Sequence, residues 1–329
     1  MKNLTLRLIA LVAVSADILY AQNQTDSSPH TVQFVTVDKN VKLEVLDWGG
    51  SGRPMIFLAG MGNTAHAFDS FAPQFTAHCH VYGVTRRGFG TSSKPAPANG
   101  NYSANHLGDD VLAVMEALKL DRPILVGHSF AGEELSSIGS RFPQKVAGLI
   151  YLEAAYDFAY YDPGRPNMGL EMDDLKRRIE QVEAGGVDEK SYLLDLEARV
   201  SKFEKTLHDS NVDIASMPPI PPRSPIIAAL TYGGQEYTKI PVPILAIYAC
   251  PHNWDRAFQN DPAMKAKRLA ADKVNCTAVA DVFAAGVPTA HVVRIPNADH
   301  YVYLSNETEV VREMNDFLAK FDQKATTPH

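Results

Sequence analysis

The 329-residue sequence lacks the features that mark several large classes of protein. It has three cysteines, so at most one disulfide can form, and a scaffold built on disulfides is excluded. It has no excess of positive charge, and its formal net charge of −7 argues against binding to nucleic acid through phosphates. The apolar run at 8–14 is shorter than the roughly 20 residues that cross a membrane, so we expect no stable membrane span.

The N-terminus has the layout of a secretory signal peptide. A basic start that includes Lys2 precedes the apolar run, and the small residue Ala21 stands where cleavage is expected. We therefore expect residues 1–21 to be a signal peptide and residues 22–31 to be a flexible leader. The mature protein would be exported to the periplasm or to the extracellular space.

Export to an oxidising compartment would allow the cysteines to pair. Cys250 and Cys276 are the preferred pair, because they lie near the end of one late strand and in the helix that follows it. The alternative is that these two residues and Cys79 are three buried thiols, and the sequence leaves both arrangements open.

One short stretch, residues 123–138, organises the rest of the chain. The apolar run at 124–126 is typical of a buried strand, and Gly-His-Ser-Phe-Ala-Gly follows it at 127–132, before a helical segment. A strand that turns sharply into a helix around a Ser is a nucleophile elbow, which would expose the hydroxyl of Ser129 at the carboxyl end of a sheet. Ala131 stands where the pattern has Gly, and its methyl group can still fit. The same residues also fit an ordinary helix N-cap in a Gly-rich turn.

Apolar runs and helical patterns alternate along most of the chain. Two alternating runs at 32–37 and 41–46 predict a hairpin. Continuous apolar runs predict strands that are buried on both faces, at 54–59, 80–84, 124–126, 147–152, 242–248 and 290–295. Helices are predicted at 65–75, 107–118, 262–285 and 307–321. Strands that alternate with helices predict an α/β fold, in which helices cover both faces of a mostly parallel sheet.

The alternation stops after the strand at 147–152. Residues 172–182 and 193–207 each carry one narrow apolar stripe, which predicts two antiparallel helices, and the proline-rich segment 216–225 leads back to the sheet. We expect an inserted helical cap at 155–240 and a core made of residues 32–154 and 241–322. The aromatic residues at the start of the cap either roof an apolar pocket or pack the cap on the core; they are Tyr156, Phe158, Tyr160 and Tyr161.

Four short motifs together resemble those of the α/β-hydrolase family, over residues 32–322. They are Leu-Ala-Gly-Met-Gly at 58–62, Arg-Arg-Gly-Phe-Gly at 86–90, Gly-His-Ser-Phe-Ala-Gly at 127–132 and Asn-Ala-Asp-His at 297–300. Each motif falls on the element where that family places it. The resemblance implies the α/β-hydrolase fold and a catalytic triad of Ser, acid and His in that chain order.

Ser129 and His300 match two members of this implied triad. Epoxide hydrolases and haloalkane dehalogenases on the same scaffold carry Asp at the position of Ser129, which argues against both activities. His300 follows the last predicted strand and precedes the closing helix, as the general base of the family does. The implied oxyanion hole consists of the backbone N–H groups of Phe130, directly after the nucleophile, and of Met61, in the turn after the third strand.

The acid is where the sequence departs from the common family pattern. The usual position follows the strand that ends at Tyr248, but residues 249–252 hold no carboxylate and Asp255 lies farther on. The second family position, at the end of the strand after the elbow helix, carries Glu153. A carboxylate that ends so apolar a strand requires a partner, since an unpaired buried charge is costly. We therefore expect Glu153 to be the acid, with Asp255 as the alternative.

Other polar residues near these motifs have simpler interpretations. Glu133 and Glu134 begin the elbow helix, where negative charge is favourable. His78 and His80 share a strand face without a further ligand in view, so we expect no metal site there. His128, beside the nucleophile, is expected to be a packing residue.

These residues predict a secreted serine hydrolase that cleaves a carboxylic ester, either open or closed as a lactone, through an acyl-enzyme. The partner would be a small-molecule ester, and neither a cofactor nor a metal is expected. The same triad could cleave amide, peptide or C–C bonds, or pass the acyl group to another acceptor. A binding protein without catalysis on the same scaffold is the alternative from another class.

Overall fold

The structure is a computed structural model that describes most of the chain, namely residues 28–164, 170, 171, 175, 178, 179, 188–210 and 223–325. The predicted signal peptide, most of the leader, most of the first predicted cap helix and the segment 216–222 lie outside the described residues. The predictions made for these segments therefore stay predictions.

A single sheet runs through the described part of the chain. Its strands are β1 (Thr31–Asp38), β2 (Val41–Gly50), β3 (Arg53–Leu58), β4 (Cys79–Val84), β5 (Ile124–His128), β6 (Gly148–Leu152), β7 (Ile244–Ala249) and β8 (Ala290–Ile295). Their order in the sheet is β1-β2-β4-β3-β5-β6-β7-β8. β1 and β2 form the predicted antiparallel hairpin, and β2 also pairs antiparallel with β4. The remaining pairs are parallel, which confirms the mostly parallel sheet.

Helices connect the strands. Those of the described residues are α1 (Ala104–Ala117), α2 (Gly132–Arg141), α3 (Glu189–Ser210), α4 (Pro225–Thr231), α5 (Pro262–Gly286), α6 (Val302–Ser305) and α7 (Glu307–Ala325). None of these helices combines the length and the apolar character that crossing a bilayer would require.

The helix predicted at 65–75 is wrong. This segment forms two separate 3-10 turns, Ala65–Phe68 and Ala72–Phe75, and Pro73 stands in the first turn of the second. A proline has no backbone N–H, so residue 73 cannot donate the hydrogen bond that would continue a helix from the first turn.

The core lies on both faces of the sheet. One apolar cluster joins the sheet to α1, α2 and α5 and includes Val111, Leu135 and Phe283. The other joins it to the two 3-10 turns and to α6 and α7, and includes Phe68 and Tyr303. Successive residues of a strand point to opposite faces, so a strand covered on both sides needs apolar residues throughout. The prediction of helices on both faces is confirmed.

The helices α3 and α4 lie between β6 and β7 in the order of the chain. Lys202 of α3 contacts the hydroxyl of Tyr161 at 2.5 Å. Leu230 of α4 is buried in one apolar cluster with Phe130, which lies in the turn after β5, so α4 lies over the carboxyl end of the sheet. The inserted cap and its boundaries, 155–240, remain a prediction.

A disulfide joins Cys250, directly after β7, to Cys276 of α5, with their Cα atoms 5.6 Å apart. This is the pair preferred from the sequence. Cys79 is buried in the core of the sheet. The bond therefore fastens the loop after β7 to the middle of the helix that follows it.

Candidate active site

The chain turns sharply between β5 and α2, and Ser129 stands at the turn. Its φ of 52° lies in the left-handed region, which a residue with a side chain adopts only under constraint. A Cβ on Gly127 would lie 3.1 Å from the Cβ of Ala131, and one on Gly132 would lie 2.0 Å from the carbonyl oxygen of Ala154. Position 132 therefore requires glycine and position 127 leaves little room for a side chain, whereas the methyl group of Ala131 is accommodated.

Three side chains from distant parts of the chain meet at this turn. The Oγ atom of Ser129 lies 2.9 Å from Nε2 of His300. The Nδ1 atom of His300 lies 3.3 Å from Oε2 of Glu153, at the end of β6. In this arrangement His300 can accept the Ser129 proton at one ring nitrogen, while its other N–H donates to the carboxylate.

The alternative acid, Asp255, lies elsewhere. Its side chain is 62% exposed and forms an ion pair with Lys265 of α5. The structure therefore brings Glu153, and not Asp255, to His300.

Glu153 is completely buried and receives several hydrogen bonds. The backbone N–H of Ala249 donates to Oε1 at 2.6 Å, and the hydroxyl of Tyr156 donates to Oε2 at 2.5 Å. The Nε2 atom of His252 lies 2.9 Å from the same Oε2. Burial by itself raises the pKa of the Glu153 carboxyl, but the charge and hydrogen bond of His252, with the hydrogen bond of His300, outweigh it. The pKa of Glu153 is therefore held far below its usual value, and the carboxylate is ionised.

His252 occupies the loop after β7, where the common acid of the family would stand. Its Nδ1 atom lies 3.1 Å from Oδ1 of Asp272 on α5, and its backbone N–H donates to Oδ2 of Asp272 at 2.7 Å. Burial lowers the pKa of His252, but the negative charges of Glu153 and Asp272 raise it well above its usual value. Sequence reasoning missed both residues. The available signal was the replacement of a carboxylate by His in that loop, and no pattern pointed to Asp272.

The turn after β3 lies directly against the nucleophile. A Cβ on Gly60 would lie 3.2 Å from the Cβ of Ser129 and 3.1 Å from Nδ1 of His128, which explains the glycine. Met61 follows Gly60, and Phe130 follows Ser129, so the two proposed backbone donors belong to segments in contact. The side chains of Met61 and Phe130 share one apolar cluster with α4.

Arg86 holds this turn against the elbow helix. Its guanidinium donates to the carbonyl oxygens of Ala59 at 2.8 Å and of Gly60 at 3.3 Å. It also forms a two-point ion pair with Glu134 of α2, with one of the two contacts at 3.0 Å. Both members of the pair are buried. Favourable charge at the helix start is therefore an incomplete account of Glu134, because this carboxylate is the partner of a buried cation.

His128 supports the loop that carries His300. It is buried, and its Nε2 lies 3.0 Å from the carbonyl oxygen of His300. Burial lowers the pKa of His128 to about 3, so the ring is neutral and its Nε2–H donates to that carbonyl. The packing role expected for His128 thus includes a specific hydrogen bond.

Two groups among the described residues bring His and carboxylate atoms within 4.8 Å of one another. One consists of Glu153, His252 and His300, whose hydrogen bonds are given above. The other consists of His30, His66 and Asp69, and in it Nδ1 of His66 lies 2.9 Å from Oδ2 of Asp69. Hydrogen bonds and ion pairs account for both arrangements, so we assign neither as a metal site.

Comparison with known proteins places these observations in a family. Residues 55–313 match the sequence model described as the alpha/beta hydrolase family. The chain is 30% identical over 116 residues to a fluoroacetate dehalogenase from Burkholderia sp.. The matched segment covers 35% of this chain and 38% of the dehalogenase. It is 28% identical over 137 residues to a 2-hydroxy-6-oxo-2,4-heptadienoate hydrolase from Pseudomonas putida, covering 38% of this chain and 49% of the relative. The chain thus matches less than half the length of these curated relatives.

Solved structures show the same fold. The structure of E-2-(acetamidomethylene)succinate hydrolase aligns with 88% of this chain and 100% of its own, at a TM-score of 0.53 and 21% identity. At this identity the likeness concerns the fold alone.

Proposed function

This chain belongs to the alpha/beta hydrolase family, and from that premise we propose that it is a serine hydrolase that cleaves a carboxylic ester. The observation that carries the proposal is the 2.9 Å contact between Oγ of Ser129 and Nε2 of His300. A hydroxyl is a weak nucleophile unless a base takes its proton during attack, and this contact supplies the base.

The proposed reaction has two halves. In the first, Ser129 Oγ attacks the ester carbonyl carbon while His300 takes its proton. The negative charge that develops on the carbonyl oxygen would be stabilised by the N–H groups of Met61 and Phe130. His300 then gives its proton to the leaving alcohol, and an acyl-enzyme remains. In the second half, His300 removes a proton from water, the water attacks the acyl group, and Ser129 recovers its proton as the acid leaves.

Glu153 would hold the proton of His300 on Nδ1 and stabilise the imidazolium formed in each half. Its ionised state suits this role, because a protonated carboxyl group would offer His300 no negative charge.

The apolar cluster around the proposed oxyanion hole supports a substrate with an apolar acyl group. The cluster includes Met61, Phe130 and three residues of α4, which are Ile226, Ile227 and Leu230. Two of the aromatic residues at the start of the predicted cap make contacts with the core, so they contribute less to the roof of such a pocket. The hydroxyl of Tyr156 is engaged by Glu153, and Tyr160 contacts the ring of Phe283 of α5 in an edge-to-face geometry at 6.0 Å.

Export of the mature protein after removal of residues 1–21 is part of the proposal. The disulfide between Cys250 and Cys276 supports it, since such bonds persist in oxidising compartments and are rare in the cytosol.

A fluorophosphonate probe tests the proposal directly, because it reacts with a serine that has an activating base. We expect the probe to label the wild-type protein at Ser129, as mapped by mass spectrometry, and not to label Ser129→Ala. A parallel panel of short acyl esters, lactones and aminoacyl amides would then identify the bond that is cleaved. Absence of labelling and of turnover in the folded wild-type protein would support the binding-protein alternative instead.

A further inference from the structure

Behind the proposed triad lies a second pair of charged residues that the reaction steps above do not use. The contacts continue without interruption from Ser129 to His300, from His300 to Glu153, from Glu153 to His252 and from His252 to Asp272. We propose that His252, held by Asp272, is a positioning residue that remains an imidazolium and sets how strongly Glu153 retains the proton on His300. This inference rests on the proposed serine hydrolase function.

The hydrogen-bond geometry of His252 requires two N–H donors. Its Nε2 faces the carboxylate of Glu153 at 2.9 Å, and its Nδ1 faces the carboxylate of Asp272 at 3.1 Å. An ionised carboxylate only accepts hydrogen bonds, and a neutral imidazole has one N–H. A neutral His252 would therefore direct a lone pair at one of two carboxylates, whereas the imidazolium satisfies both.

His300 differs from His252 at this point. Its Nδ1 faces the carboxylate of Glu153, but its Nε2 faces the hydroxyl of Ser129, which can donate as well as accept. A neutral His300 satisfies both contacts. Glu153 thus lies between a histidine whose two contacts require two N–H donors and a histidine whose two contacts are satisfied by one.

Among the described residues, few other charged groups lie near His252. Besides Glu153 and Asp272, the ring of Trp254 lies 5.9 Å away, centroid to centroid, and the guanidinium of Arg268 lies over that indole, 4.4 Å from its centroid. The hydroxyl of Tyr156 reaches Glu153 but stays protonated, because burial and the charge of Glu153 raise its pKa well above the usual value.

These charges determine what His252 does for His300. With His252 charged and His300 neutral, the two carboxylates and one imidazolium sum to one negative charge. Without the charge of His252 the sum would be two negative charges, which would stabilise protonated His300. A protonated His300 cannot accept the Ser129 proton. His252 thus keeps the buried Glu153 ionised and also weakens its attraction for the His300 proton.

The disulfide fixes the two partners relative to each other. Cys250 precedes His252 by two residues in the loop after β7, and Cys276 follows Asp272 by one turn of α5. The covalent bond therefore joins the two segments whose separation determines the contact between His252 and Asp272.

The kinetic test replaces His252 by Gln. The amide N–H of Gln can replace Nε2–H as a donor to Glu153, so His252→Gln removes the charge and retains the hydrogen bond. We expect the acid limb of the kcat/KM profile to move to higher pH by about one unit, the effect of a nearby unit charge in a partly polar site. The matched control is His291→Gln, on β8, whose side chain is 56% exposed. An acid limb that stays within about 0.2 units of wild type in folded His252→Gln would overturn the proposal.

A second measurement does not depend on catalysis. In histidine-labelled Ser129→Ala, nitrogen NMR should show both ring nitrogens of His252 protonated from pH 6 to pH 8. Asp272→Asn in that background should lower the pH at which the His252 ring loses one of its two N–H protons and becomes neutral. Asp281→Asn, on the same helix with a side chain 64% exposed, should not. A His252 with one N–H at pH 7 refutes the inference whether or not ester cleavage is found. Failure of Ser129 to react with a fluorophosphonate would instead refute the proposed function alone.

Discussion

The carboxylate of Glu153 reaches the ring of His300 from the end of β6, with Oε2 at 3.3 Å from Nδ1. The loop after β7, which carries the acid in the commoner family arrangement, supplies His252, whose Nε2 contacts the same carboxylate oxygen at 2.9 Å. The proposed acid therefore follows a neighbouring strand, and the line of contacts from Ser129 through His300 to this carboxylate is complete.

Glu153→Gln is expected to lower kcat by roughly two to four orders of magnitude, because an amide neither fixes the His300 tautomer nor stabilises the imidazolium. Steady-state hydrolysis of the best ester of the panel measures the change. Asp255→Asn is the matched control, since Asp255 is exposed and paired with Lys265. A large loss of kcat in Asp255→Asn with a near-normal Glu153→Gln would contradict our assignment.

Ser129→Ala and His300→Ala should each abolish most ester hydrolysis and leave the fold intact, which circular dichroism can verify. In the proposed reaction the two residues act in the same proton transfer. We therefore expect the double variant to hydrolyse ester no more slowly than the less active of the two single variants. Residual activity of Ser129→Ala within about tenfold of wild type, or about 1.4 kcal/mol in transition-state free energy, would rule out Ser129 as the nucleophile.

Arg86→Met is expected to destabilise the protein by about 3–5 kcal/mol, because it leaves the carboxylate of Glu134 buried without its cation. It also removes the donors to the carbonyl oxygens of Ala59 and Gly60, so kcat should fall even where the protein remains folded. Urea unfolding and ester kinetics measure the two effects. Arg312→Met, whose side chain is 61% exposed, is the matched control and should change neither quantity appreciably.

The disulfide between Cys250 and Cys276 closes a segment with a sequence separation of 26 residues. Loop-closure entropy for a segment of this size corresponds to about 3.5 kcal/mol. The variant with both cysteines replaced by Ser should lose stability of that order in urea unfolding. Dithiothreitol should destabilise the wild-type protein to a similar degree and leave the double variant unchanged; equal effects of the reductant on both proteins would count against a disulfide.

The stability contributed by His252 should depend on pH in a defined direction. Burial lowers the pKa of His252, but its carboxylate partners raise it from 6.5 to about 10 in the folded protein. A raised pKa stabilises the fold fully below the unfolded value of 6.5, and this contribution is lost as the pH approaches 10. The difference in free energy of unfolding between wild type and His252→Gln should therefore be largest near pH 6 and shrink toward pH 10. For His291→Gln the difference in free energy of unfolding from wild type should not change with pH. A difference for His252→Gln that does not change with pH would contradict the assigned charge.

Much of the fold could be predicted from local patterns in the chain. The continuous apolar runs of β3, β5 and β7 are typical of strands buried on both faces, and the structure confirms those strands within one or two residues. The 65–75 segment could not be predicted from its apolar spacing, because the missing N–H of Pro73 outweighs that spacing.

Ser129, Glu153 and His300 could be selected from the sequence because each follows a strand of the parallel sheet. The carboxyl ends of such strands lie at one edge, so residues far apart in the chain are brought together by the strand order alone. Tertiary packing decided the partners around them. Asp272 reaches His252 only because α5 packs beside the end of β7, and Arg86 reaches Glu134 only because the turn after β4 folds against α2. Such contacts join side chains 20 and 48 residues apart without any periodic pattern, since they depend on the distance between packed elements.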